Sequence, residues 1–150
     1  MRRYIDLPPV WLAAALVVAW VQKTRFDFGL GFGTVWADLL GGLLVGTGIV
    51  LIALAAFEMR RHKTTIIPHQ EPSALVTSGI FKRSRNPIYL ADSLILTGMI
   101  LYWDAVLSLP LIPIFVWWIE KHFIIAEEKR LRRNFRANFA RYEKQTRRWL

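Results

Sequence analysis

The sequence predicts an all-α, polytopic membrane bundle of about four transmembrane helices, followed by a cytoplasmic C-terminal helix. Three observations carry that prediction. The chain is 54% hydrophobic with a positive mean hydropathy and seven tryptophans, a balance that suits a small membrane protein better than a soluble domain. The apolar residues fall in four blocks divided by polar segments. The formal charge of +9 is kept to those segments, and mainly to alternate ones. At 150 residues the chain supports one domain, and without cysteine it has no disulfide, thiolate metal site or cysteine nucleophile.

The first span is expected over 7–21, "LPPVWLAAALVVAWV", short for a crossing unless tilted. A secretory signal is the rival reading, but bulky Trp20, Gln22 and Lys23 stand where a small-x-small cleavage site would fall. The second span, 35–57, is uncharged from Leu39 onward and reaches the length of about 20 residues that a bilayer core demands. Its Gly42-x-x-x-Gly46 spacing predicts close helix packing within the bundle rather than a dedicated dimer interface. The third, 88–103, contains a single charge, Asp92, expected as a cap or a bundle-interior hydrogen-bond partner. The fourth, 105–126, is apolar to Ile119 and then admits Glu120, Lys121 and His122.

The loops orient these spans. Arg2 and Arg3 precede the first; Arg60, Arg61, Lys63, Lys82, Arg83 and Arg85 lie between the second and third; nine Lys or Arg residues follow Ile125. The opposite connections are balanced or acidic: Lys23 and Arg25 with Asp27 and Asp38, then Asp104 alone. The positive-inside rule then predicts a multi-pass protein of the cell (inner) membrane with both termini cytoplasmic. Basic residues flanking apolar spans point to lipid headgroups, not to nucleic acid. His62, His69 and His122 lack metal-ligand spacing, so no metal is expected.

Two polar segments carry the expected chemistry. The loop 58–87 is too long for a tight turn and too apolar, at Leu75, Val76 and Ile80, for a solvated linker. It ends in "GIFKRSRNPIYL", where Pro87 biases Asn86 away from helix and starts the next helix, whose amides favour an anion. The segment 127–150 opens on Glu127 and Glu128, the only adjacent carboxylates. Helical pairing with Arg130 and Arg132 would contribute only about 0.2–0.5 kcal/mol each. Adjacent helical residues diverge by about 100°, which lets one of the two turn into the bundle toward a cation.

These segments resemble the isoprenylcysteine carboxyl methyltransferase and phospholipid methyltransferase group of integral membrane enzymes. The likeness rests on three ordered elements over roughly residues 57–150: Thr64 to Pro68; "LVTSGIFKRSRNPIY" from Leu75 to Tyr89; and "EEKRLRRNF" from Glu127 to Phe135, followed by Phe139, Tyr142 and "RRWL". Three positions depart from the group's pattern: Asn86 replaces a common His, Arg136 a usual Gly, and Phe139 a frequent Tyr. The resemblance implies S-adenosylmethionine as cofactor, held by Leu75, Val76, Thr77, Gly79, Arg85, Asn86, Pro87, Tyr89, Glu127 and Glu128. It implies a lipophilic methyl acceptor reached from the bilayer, with Tyr142 and Arg148 as candidate acceptor contacts. Sterol-reductase-like NADPH enzymes and a basic membrane adaptor are the rival readings, and the oligomeric state stays open.

Overall fold

The computed structural model describes residues 6–67 and 70–150. Arg2 and Arg3 of the N-terminal charge, and Pro68 and His69 of the loop, lie outside the described residues. Among the described residues every regular element is helical: α1 (Pro8–Arg25), α2 (Val35–Arg61), α3 (Pro87–Tyr102), α4 (Leu111–Ile119) and α5 (Ile125–Gln145). Short 3-10 turns occupy Gly79–Lys82 and Val106–Ser108, and a π turn, Glu120–Ile124, joins α4 to α5.

Local chemistry sets most of these limits. Proline at the start of α1 and α3 loses no helical hydrogen bond there and has φ pre-set. Asp38 in the first turn of α2 and Arg60 and Arg61 in its last complement the helix dipole. That charged last turn extends α2 past Phe57, so the polar loop starts at His62 and not at residue 58. The fourth helix starts at Leu111 and not at 105, because Asp104 adopts φ 60° and residues 106–108 form a 3-10 turn.

Two helical stretches, Val35–Arg61 and Val106–Gln145, are long and apolar enough to cross a membrane. α3 is apolar but only 16 residues long, and α1 ends in a turn holding Lys23 and Arg25. The outer surface of α2 is apolar, with Leu39, Leu43, Ile49, Val50 and Phe57 exposed. Water would not favour such a continuous face, and lipid accepts it.

α3 is the central helix and packs chiefly on α2. A methyl group at Gly41 would lie 2.6 Å from the Gly98 carbonyl oxygen, and one at Gly48 would lie 2.8 Å from that of Ala91. Gly42 and Gly46 face open space, so the close approach uses Gly41, Gly48 and Gly98 in place of the Gly42–Gly46 pair. One apolar core joins α1, α3 and α4 around Ala19, Leu96, Ile100, Phe115 and Ile119. A second lies under the polar loop, where Ala55, Val76, Phe81, Phe139 and Tyr142 meet. Asp92 is 3% exposed inside the bundle, away from the cap position at Asn86, and its Oδ2 has no partner among the described residues.

The bundle has two distinct ends. At one, the Phe32 amide donates to Asp104, Lys23 Nζ pairs with Asp27 at 2.7 Å, and Ser108 Oγ donates to Gln22 Oε1 at 2.9 Å. At the other, the loop 62–86 meets the second half of α5 and the C-terminal residues.

Candidate functional site

The C-terminal residues make the second end. Arg85 N–H donates to the Arg147 carbonyl at 3.0 Å and Asn86 Nδ2 donates to the Arg148 carbonyl at 3.0 Å. Tyr142 O–H donates to the Phe81 carbonyl at 2.6 Å, and burial pushes its phenol pKa up. Asn86 therefore does not cap α3 with its side chain; it ties α3 to the chain end.

Between the loop, the end of α2, the start of α3 and the start of α5 lies a cleft of about 880 Å³ counted out to its mouth. Leu75, Val76, Phe81, Met59, Ile88 and Leu131 supply apolar walls. Arg85, Asn86, Pro87, Tyr89, Glu127, Arg130 and Tyr142 also line it. Tyr89 O–H donates to Glu127 Oε2 at 2.9 Å. The Arg85 side chain is held by Glu143 Oε1 at 3.2 Å and Glu128 Oε1 at 3.5 Å. Its Nε, and the Thr64 hydroxyl beside the cleft, are buried with no partner among the described residues.

Glu127 and Glu128 take different partners, but neither is the solvent-facing member that the helix geometry allows. Glu127 faces the cleft, while Glu128 is buried and accepts from Arg148 Nε and Nη2, each at 2.9 Å. Both carboxylates thus turn inward, and Arg132 pairs with Glu143 instead of Glu128. Arg148 also reaches Glu120 Oε1 at 3.1 Å, and Trp149 Nε1 donates to Glu120 Oε2 at 3.0 Å. The bidentate bond to Glu128 raises the Arg148 pKa above its already high ordinary value. A guanidinium so engaged braces the end of the chain.

Eight of the twelve residues expected at the site line one cleft: Leu75, Val76, Arg85, Asn86, Pro87, Tyr89, Glu127 and Tyr142. Glu128 and Arg148 form the brace behind it. Thr77 is exposed and lines a separate polar hollow with Asn138, Arg141 and Gln145. Gly79 packs on Glu58. Thr64 opens the first of the elements that carry the resemblance, whereas Glu58, Met59, Glu120 and Glu143 were not expected at the site. Glu58 had a signal, being the one carboxylate between Asp38 and Glu71, set where the apolar run ends; the others had none outside the fold.

A cleft with a carboxylate on one wall, a partly satisfied guanidinium on another and apolar surfaces between suits a ligand that carries both charges and a flat apolar group. S-adenosylmethionine has that constitution.

No curated protein and no solved structure matches the chain. The family model for phospholipid methyltransferase matches residues 36–138, more than half of the chain and all of the cleft-lining elements except the end of α5. On that match, and with helices apolar and long enough for a bilayer, the chain belongs to the phospholipid methyltransferase family, a family of membrane methyltransferases.

Proposed function

We propose that the protein transfers a methyl group from S-adenosylmethionine to a lipophilic acceptor at the cytoplasmic membrane face, in the manner of an isoprenylcysteine carboxyl methyltransferase. The observation that carries this reading is the pairing, across one cleft, of Glu127 with Arg85 and its unsatisfied Nε. Glu127 would hold the ammonium of the cofactor and Arg85 its carboxylate. The backbone at Asn86 and Pro87 adds the positive end of α3 beside that carboxylate. Leu75, Val76 and Phe81 offer the adenine an apolar slot. Tyr89 fixes the Glu127 carboxylate through its hydroxyl.

When bound, the cofactor supplies an electrophilic methyl group on a sulfonium. The protein's own part is alignment and exclusion of water, since positive charge disperses in the displacement and no dedicated base is needed. Thr77 and Gly79 would shape the loop, and Glu128 and Arg148 would hold it closed against α5 without touching the ligand. Ile66, Ile67 and Ile88 at the cleft present apolar surface toward an acceptor arriving from the bilayer. The family assignment and the segregation of charge support a multi-pass inner-membrane topology with four spans and the cleft at the cytoplasmic side.

The test is calorimetric titration of the detergent-solubilised protein with S-adenosylmethionine and, separately, with NADPH. Labelled methyl transfer to a panel of prenylated carboxylates, lipid amines and lipophilic thiols follows. Binding of the first cofactor alone, with label entering one acceptor class, is the expected result. Binding of NADPH alone would move the protein to the reductase reading, and binding of neither to the adaptor reading.

A further inference from the structure

We propose that Glu58 is a positioning residue for the cofactor loop: the last turn of α2 clamps Ser78 and Gly79 and so holds Leu75 and Val76 as a wall of the cleft. This rests on the cofactor reading above, and it adds a residue outside both the cleft lining and the motifs that carry the resemblance.

Glu58 follows an apolar run that is uncharged from Leu39 to Phe57, yet its side chain turns inward and is 11% exposed, while its neighbours Arg60 and Arg61 are exposed. A carboxylate at such a place costs desolvation unless donors meet it. Ser78 Oγ donates to Glu58 Oε2 at 2.6 Å, and Arg61 Nη1 lies 3.9 Å from Oε1. His62 Nδ1 lies 2.9 Å from the Glu58 carbonyl, and its Nε2 lies 3.4 Å from Ser78 Oγ, which closes the group on the helix side.

Gly79 completes the clamp. It has φ 58°, and a Cβ there would stand 2.6 Å from Glu58 Cγ and Cδ. The glycine lets the loop backbone lie directly on the carboxylate stem. From that contact the chain runs back through Thr77 to Val76 and Leu75, and forward through a 3-10 turn to Phe81, all three apolar residues lining the cleft. Among its described residues the loop has no regular structure between His62 and Gly79, so its position against α2 depends on side-chain contacts of this kind.

The experiment uses the full chain in detergent, with hydrogen exchange of the 75–81 amides read without cofactor and S-adenosylmethionine affinity read by calorimetry. Glu58→Ala should speed exchange at 75–81 and weaken cofactor binding by about tenfold, the scale of one lost hydrogen bond to a charged group. Glu58→Gln, which keeps an acceptor for Ser78, should restore both readouts to within about threefold of the parent, less than that loss. Ser78→Ala, which leaves the helix untouched, should reproduce the Glu58→Ala pattern in smaller measure and serves if Glu58→Ala fails to fold. Unchanged exchange in Glu58→Ala, or in Ser78→Ala where only that variant folds, overturns the clamp. Faster exchange with unchanged affinity overturns its role in positioning. If the parent itself binds no S-adenosylmethionine, the cofactor reading and the positioning role fall together, while the exchange arm still reports whether the contact holds the loop.

Discussion

Glu127 and Glu128 are adjacent in sequence, yet they answer to different partners. Glu127 meets a tyrosine hydroxyl in the cleft, and Glu128 meets the guanidinium of Arg148. Glu127→Gln should therefore weaken S-adenosylmethionine binding by roughly ten- to hundredfold, the loss of a charge-assisted bond of about 1.5–3 kcal/mol, with little change in melting temperature. Glu128→Gln should act mainly on stability, lowering it by about 1–3 kcal/mol because one side of a partly buried bidentate pair is removed. Calorimetric affinity and thermal melting of both variants separate the two roles; equal effects on both measurements would refute the division. Arg136 is a second case at this scale. The resemblance implies Gly at this position, and the φ of 41° and ψ of −111° at Arg136 interrupt α5 in a region that glycine enters without steric cost. Arg136→Gly should raise stability by about 1 kcal/mol through relief of that strain, read as a higher denaturation midpoint in the same detergent.

The helices succeed or fail as packed pairs. α2 and α3 touch backbone to backbone because Gly41 and Gly98 face each other: a methyl group at Gly98 would lie 2.5 Å from the Gly41 carbonyl oxygen. Neither helix could move away without opening the contacts at Gly48 with Ala91 and Ile95. Gly98→Val should cost about 1–3 kcal/mol, the usual penalty for overpacking, whereas Gly46→Val, on the open face, should be near neutral. Side-by-side thermal melts check this, and equal losses would put the contact face elsewhere. α5 behaves differently from these apolar helices. Its first turns border the cleft and its second half, after Arg136, packs Phe139 and Tyr142 beneath the loop.

For the whole molecule, the arrangement of ends is the property that matters. The 26–34 and 103–108 turns are tied together at one end by Asp104, Lys23 and Gln22. The loop 62–86 and the C-terminal residues are tied at the other by Arg85, Asn86 and Tyr142. Charge follows this division, with 15 of the 20 Lys and Arg residues in 60–85 or after Ile125. Reporter fusions after Lys63 and after Leu150 should score cytoplasmic and one at Asp104 external. An external score after Lys63 would carry the cleft to the other side of the membrane and remove its access to cytoplasmic cofactor.

The sequence by itself determined where helices form and which segments are polar, since hydropathy, proline placement and terminal charge act over a few residues. Pro87 opening α3 and the uncharged run of α2 were legible for that reason. It also marked most of the cleft, because the loop and the Glu127–Tyr142 segment hold a recognisable order of residues. Only the tertiary structure decided which carboxylate faces the cleft, which glycines touch a neighbour and what the chain end does. The partners concerned lie far apart in sequence: Asn86 and Arg148 are separated by 62 positions, Ser78 and Glu58 by 20. A hydrogen bond across such a span depends on how α5 returns over the loop and how α2 ends beside it, which is a matter of packing and carries no local signature.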